Sequence, residues 1–90
     1  MSSTLCFQKT PKPPKEAWHF KQPIKGIFAR KYYGHDGSLG GDKITLDESN
    51  HAWIQGVYDS GVGDERDRAD LRQILDLIEA GETVDMWFEV

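Results

Sequence analysis

The sequence predicts an α+β domain: a small three-stranded antiparallel sheet packed against two helices, in the order β-β-α-α-β. Three observations lead to it. Leu71, Ile74, Leu75 and Ile78 recur at i, i+3, i+4 and i+7, which places four branched side chains on one face of a helix. Immediately after Gly81 the period changes to two, with Val84, Met86, Phe88 and Val90 alternating with Asp85, Trp87 and Glu89. Upstream, residues 24–33 (IKGIFARKYY) are rich in aromatic and β-branched residues, as a strand would be.

Residues 1–17 lack a sustained period and hold Pro11, Pro13 and Pro14 among lysines. Prolines so spaced exclude a helix and favour an extended path, so the segment reads as a flexible basic tail. Leu5, Cys6 and Phe7 have the makings of a short edge strand within it, and KTPKPPK has the minimal pattern of a proline-rich ligand. The domain proper then covers residues 18–90. Trp18 and Phe20 alternate with His19 and Lys21 before Pro23 interrupts. Over residues 24–33, Ile27, Ala29, Lys31 and Tyr33 would share one strand face, and Gly26, Phe28, Arg30 and Tyr32 the other.

Residues 34–42 (GHDGSLGGD) contain four glycines and read as a long hairpin loop leading to a strand at residues 43–46. Asp47, Glu48, Ser49 and Asn50 form a helix start, after which Trp53, Ile54 and Val57 share a face and DSGVG supplies the stop. A strand over residues 48–58 is the alternative, since Gly56 lowers helix propensity by about 1 kcal/mol relative to Ala. Asp64 or Asp67 caps the second helix, and Gly81 is placed to end it in a left-handed conformation.

Composition narrows the function classes. Ninety residues make one domain. The single cysteine, Cys6, excludes an internal disulfide and points to a reducing compartment. The absence of an apolar run long enough for a membrane span, and of a hydrophobic leader, points to a cytoplasmic protein. The net charge of −4 conceals an asymmetry. Residues 1–33 carry Lys9, Lys12, Lys15, Lys21, Lys25, Arg30 and Lys31 against Glu16 alone, whereas residues 34–90 carry four bases against fourteen acids.

No catalytic or cofactor motif stands out. Cys6, His19, His35, Asp36, Asp42 and His51 are the available metal ligands, but none has a metal-site spacing. The glycine loop lacks both the GxGxxG order and the GK[ST] ending of a phosphate cradle, and it precedes a strand. Ser38, Ser49 and Ser60 sit in turn or cap contexts, and Cys6 has no neighbouring His to activate it. Neither an enzyme nor a cofactor is expected.

Two binding modes remain. The first is a protein partner with a basic surface, met by Asp64, Glu65, Asp67, Asp70, Asp76, Glu79 and Asp85, with Trp87 as an aromatic anchor. Arg66–Asp70 and Arg72–Asp76 are i, i+4 pairs that would dilute this acidity. Small, acidic, motif-free intracellular proteins include phage or mobile-element inhibitors of host defence nucleases and toxin-neutralising immunity proteins, and an inhibitor or modulator of that kind is the expected role. The second mode is nucleic-acid binding, in which Lys21, Lys25, Arg30 and Lys31 contact phosphates while Tyr32 and Tyr33 stack on bases.

Overall fold

The computed structural model describes residues 4–10, 18–35 and 41–89. Four strands form a single antiparallel sheet: β1 (Thr4–Thr10), β2 (Trp18–Phe20), β3 (Gly41–Leu46) and β4 (Thr83–Glu89), in the order β2-β1-β4-β3. Three helices accompany it: α1 (Ile24–Tyr32), α2 (His51–Asp59) and α3 (Glu65–Glu79). The α+β class stands, with one more strand and one more helix than the sequence predicts.

The largest correction concerns residues 24–33, which form helix α1 where a strand was expected. The same residues contain a helical stripe, because Ile24, Ile27, Phe28 and Tyr32 are three or four apart. Ile24, Phe28 and Ala29 are buried on that face. The Gly26 amide donates to Gln22 Oε1 at 3.0 Å, which satisfies one of the donors a helix start leaves open. Arg30 and Lys31 lie in the last turn, where cations oppose the negative end of the helix dipole. The hairpin expected across residues 34–42 is therefore absent: β3 follows α1 and pairs with β4.

The second correction concerns the expected flexible tail. Residues 4–10 are strand β1, an inner strand paired with β2 on one side and along its whole length with β4 on the other. Leu5, Cys6 and Phe7 are fully buried. The three prolines begin only beyond its last residue and fall at residues 11–14, outside the described residues. A β strand of three apolar residues flanked by polar ones gives too short a pattern to stand out from its surroundings.

The C-terminal half forms as its spacing predicts. Asp64 accepts a hydrogen bond from the Asp67 amide at 2.8 Å and caps α3. Leu71, Ile74, Leu75 and Ile78 are buried. Gly81 ends the helix at φ +86°, while the Gly81 and Glu82 amides return to the carbonyls of Ile78 and Leu77. Residues 51–59 are helix α2, entered through a 3₁₀ turn at Glu48–Asn50. Asp47 and Asn50 cap that turn reciprocally: Asp47 Oδ1 accepts from the Ser49 amide and Asn50 Oδ1 accepts from the Asp47 amide.

All three helices pack on one face of the sheet. Leu5 and Phe7 of β1, Phe20 of β2, Leu46 of β3, and Val84, Met86 and Phe88 of β4 join helix residues in one core. Phe7 stands edge-on to both Phe20 and Phe28, with ring centroids 5.1 and 5.3 Å apart, and Phe28 stands edge-on to Trp53 at 4.9 Å. This aromatic chain links the sheet to α1 and α2. Strand alternation sends the remaining side chains to the opposite face. There Cys6 stands across from Trp87 and His19, and Asp85 stands across from Gln8 and Thr45. No described helix covers that outer face.

Candidate protein-binding face

The outer face is shaped by an irregularity in β3. Between Gly41 and Ile44 the strand spends three steps while β4 spends two, from Phe88 to Met86. The extra residue bulges opposite Trp87, so Asp42 and Lys43 turn outward beside the indole. Tyr33 fixes the bulge from within: its hydroxyl donates to the Asp42 carbonyl at 2.6 Å, and its ring stands edge-on to Phe88 at 5.2 Å. Burial, reinforced by the Asp42 carboxylate, pushes the Tyr33 phenol up to about 12, so it remains a donor at any physiological pH.

A shallow recess of about 510 Å³ results, bordered by Gln8, Lys9, Gly41, Asp42, Lys43, Asp85 and Trp87. Thr45 Oγ1 donates to Asp85 Oδ1 at 2.8 Å, and Lys43 Nζ lies 3.6 Å from Asp85 Oδ2. Only 15 % of the Asp85 side chain is exposed, so its orientation is set by these neighbours. The half-buried Trp87 donates through Nε1 to Glu89 Oε2 at 2.9 Å. Cys6, across from Trp87, is buried, and burial with the nearby Glu89 charge pushes its thiol up to about 11. It is protonated and inaccessible, the opposite of a nucleophile's surroundings.

No family model matches this chain, and no curated protein or solved structure matches it either.

The acids expected on one surface are divided between two. Asp85 and Trp87 belong to the outer sheet face, while the others belong to α3, which packs on the inner face. On α3 most carboxylates have internal partners. Asp64 lies 3.3 Å from Lys21 Nζ, and Asp70 lies 3.9 Å from Arg66. The Arg72 guanidinium holds Asp76 at 2.9 Å and Glu79 at 2.6 Å, and His51 Nε2 meets the same Glu79 oxygen at 2.8 Å. Those hydrogen bonds from His51 and Arg72 hold the Glu79 carboxyl below its ordinary range. Glu65 is exposed in the first turn. Asp67 is 1 % exposed, and its Oδ1 has no hydrogen-bond partner among the described residues.

The residues expected to bind nucleic acid are brought together only in part: Lys21 and Lys25 share one recess, with the Arg30 guanidinium beside Gln22 at its edge. Lys21 lies in the turn between β2 and α1, and Lys25, Arg30 and Lys31 lie on α1. Tyr32 packs between Phe28 and Trp53 and accepts from Asn50 Nδ2 at 3.2 Å, and Tyr33 is engaged with the bulge. Lys31 Nζ sits 5.7 Å over the Trp53 ring. The two tyrosines thus pack at the margin of the core.

Of the possible metal ligands, Asp36 lies outside the described residues. Among the described residues no three His, Cys, Asp or Glu side chains come together as a metal site. No described helix is long and apolar enough to cross a membrane. Sequence reasoning reached Asp85 and Trp87 through the alternation of β4 but missed Gln8, Lys43 and Thr45. Their membership depends on strand register and on a bulge, neither of which leaves a local signal.

Proposed function

We propose that this chain is a small non-catalytic binding domain that docks a basic segment of another protein on its outer sheet face, and so inhibits or modulates that partner. The observation supporting this most is Trp87, a half-buried indole centred on a sheet face that no described helix covers. Large aromatics in such a setting supply much of an interface's energy, and polar rims such as Gln8, Asp42 and Asp85 exclude water around them. The recess itself is balanced, with Asp42 and Asp85 against Lys9 and Lys43, and Glu89 beside Trp87 leaves a small negative excess that suits a cationic partner. The carboxylates of α3 contribute less, because Arg66, Arg72 and His51 already oppose Asp70, Asp76 and Glu79. Binding is favoured over catalysis because the recess brings together an indole and an ion-paired carboxylate, Asp85, with no described pairing of nucleophile and base.

Placement of a photoreactive benzophenone side chain at Lys43 tests the reading. It should cross-link a single stoichiometric protein from cell extract, in a reaction lost on Trp87→Ala, whereas the same group at Asp76 should not. Efficient cross-linking from Asp76 alone would move the docking surface to α3 and refute the proposal.

A further inference from the structure

We propose a second site, independent of the outer sheet face: a cationic pocket between β2, α1 and α3 that binds a single phosphoryl group. Four elements converge on a cavity of about 280 Å³. β2 supplies His19, the turn into α1 supplies Lys21 and Gln22, α1 supplies Lys25, and the first turn of α3 supplies Arg66. No carboxylate lines it, in a chain whose acids outnumber its bases by fifteen to eleven. The opposing charges nearby are Asp64 at 3.3 Å from Lys21 Nζ, Asp70 at 3.9 Å from Arg66 Nε, and the buried Asp67, whose carboxyl accepts from the Lys21 amide.

The donors are of the type an oxyanion needs. Arg66 is engaged through Nε by the long contact to Asp70, and its side chain is 68 % exposed, so the terminal nitrogens are accessible to a ligand. Such a planar fork matches two oxygens of a phosphoryl group at once. Gln22 accepts from the Gly26 amide through Oε1, which fixes the side-chain orientation and leaves its NH₂ group as a donor. Lys21 and Lys25 add compact positive charge from two further directions. A recess this small takes one phosphoryl group with a few atoms of its ester. Of the other described cations, Lys31 covers Trp53, Lys9 pairs with Glu82 and Lys43 pairs with Asp85, while the Arg30 guanidinium lies beside Gly26 and Gln22 and adds to the charge at the edge of the recess. The ligand class is therefore inorganic phosphate or a small phosphomonoester.

Amide chemical shifts of the 90-residue chain, followed during titration with sodium phosphate and with glycerol phosphate, test this against sodium chloride at matched ionic strength. Saturable shifts confined to residues 19–25 and the start of α3 are expected. They should weaken roughly tenfold in Lys25→Ala/Arg66→Ala and remain unchanged in Lys43→Ala. Tighter binding of glycerol phosphate would identify an ester as the ligand, and equal binding would identify the free anion; either supports the site. Linear shifts that chloride reproduces would overturn it. Tighter, steeply salt-dependent binding of a thymidine decanucleotide that also moves Lys31 would overturn it in favour of a nucleic-acid backbone. Trp87→Ala should leave phosphate binding intact, so this site and the protein-docking face stand or fall separately.

Discussion

Tyr33 and Gly41 are fitted to one another. A Cβ on Gly41 would stand 2.6 Å from the Tyr33 ring, whose hydroxyl reaches over the glycine to the Asp42 carbonyl. The side chain that ends α1 therefore sets the shape of β3, and through the bulge it sets the position of Lys43 beside Trp87.

Gly41→Ala should accordingly destabilise the fold by about 1–3 kcal/mol, the usual cost of overpacking. Tyr33→Phe should cost about 1 kcal/mol by removing one hydrogen bond. Urea denaturation measures both. If Tyr33 holds the bulge, Tyr33→Phe should also shift the amide resonances of Asp42 and Lys43 while leaving those of α3 in place.

Asp67 gives a prediction with a defined pH dependence. Burial, then the neighbouring Asp64 charge, raises its pKa. A carboxyl whose folded pKa is raised binds its proton more tightly in the native state, so its contribution favours folding at low pH and declines as pH rises through the raised value. Asp67→Asn should therefore stabilise the protein at neutral pH, by on the order of 1 kcal/mol, since it removes a buried charge with an unsatisfied oxygen. The advantage should vanish in thermal melts below the ordinary carboxylate range.

Asp47, Asp64 and Glu79 act in the opposite sense. Hydrogen bonds to Asp47 and Asp64, from Ser49 and the Asp67 amide respectively, lower their pKa values, as those from His51 and Arg72 do for Glu79. Their contributions are complete above the ordinary carboxylate pKa and are lost as pH falls through the lowered values. The melting temperature should thus fall on acidification of wild type, and fall more steeply in Asp67→Asn, which lacks the compensating contribution of Asp67.

Cys6 should resist modification in the folded protein. With the thiol buried and pushed up to about 11, reaction with a disulfide reagent at neutral pH should proceed only as fast as the chain opens, and should accelerate once denaturant unfolds it. Rapid labelling of the native protein would contradict the buried position of β1.

The legibility of these features in the sequence follows their range along the chain. Helix α3, its Asp64 cap, the Gly81 stop and the alternation of β4 are local patterns, and each could be read from a window of about fifteen residues. Residues 24–33 satisfied both periods at once, because Ile24, Ile27, Phe28 and Tyr32 form a helical stripe among β-favouring residues. Burial against Phe7 and Trp53 decides for the helix, and those contacts are remote in sequence. β1 has three buried residues and owes its place to seven pairings with β4. The two candidate sites were half legible for the same reason. Asp85 and Trp87 were visible as a strand face, and Lys21 and Lys25 as part of a basic run. Their companions Gln8, Lys43 and Arg66 arrive from distant segments.

The central claim is that Trp87 anchors a partner on the outer sheet face. Its most direct test is isothermal titration of the cross-linked partner, once purified, against wild type, Trp87→Ala and Asp76→Lys/Glu79→Lys. The account predicts at least about tenfold weaker binding for Trp87→Ala, the loss expected of an interface anchor, and near-wild-type affinity for the α3 double variant. Unchanged affinity for Trp87→Ala with binding abolished in the α3 variant would contradict it.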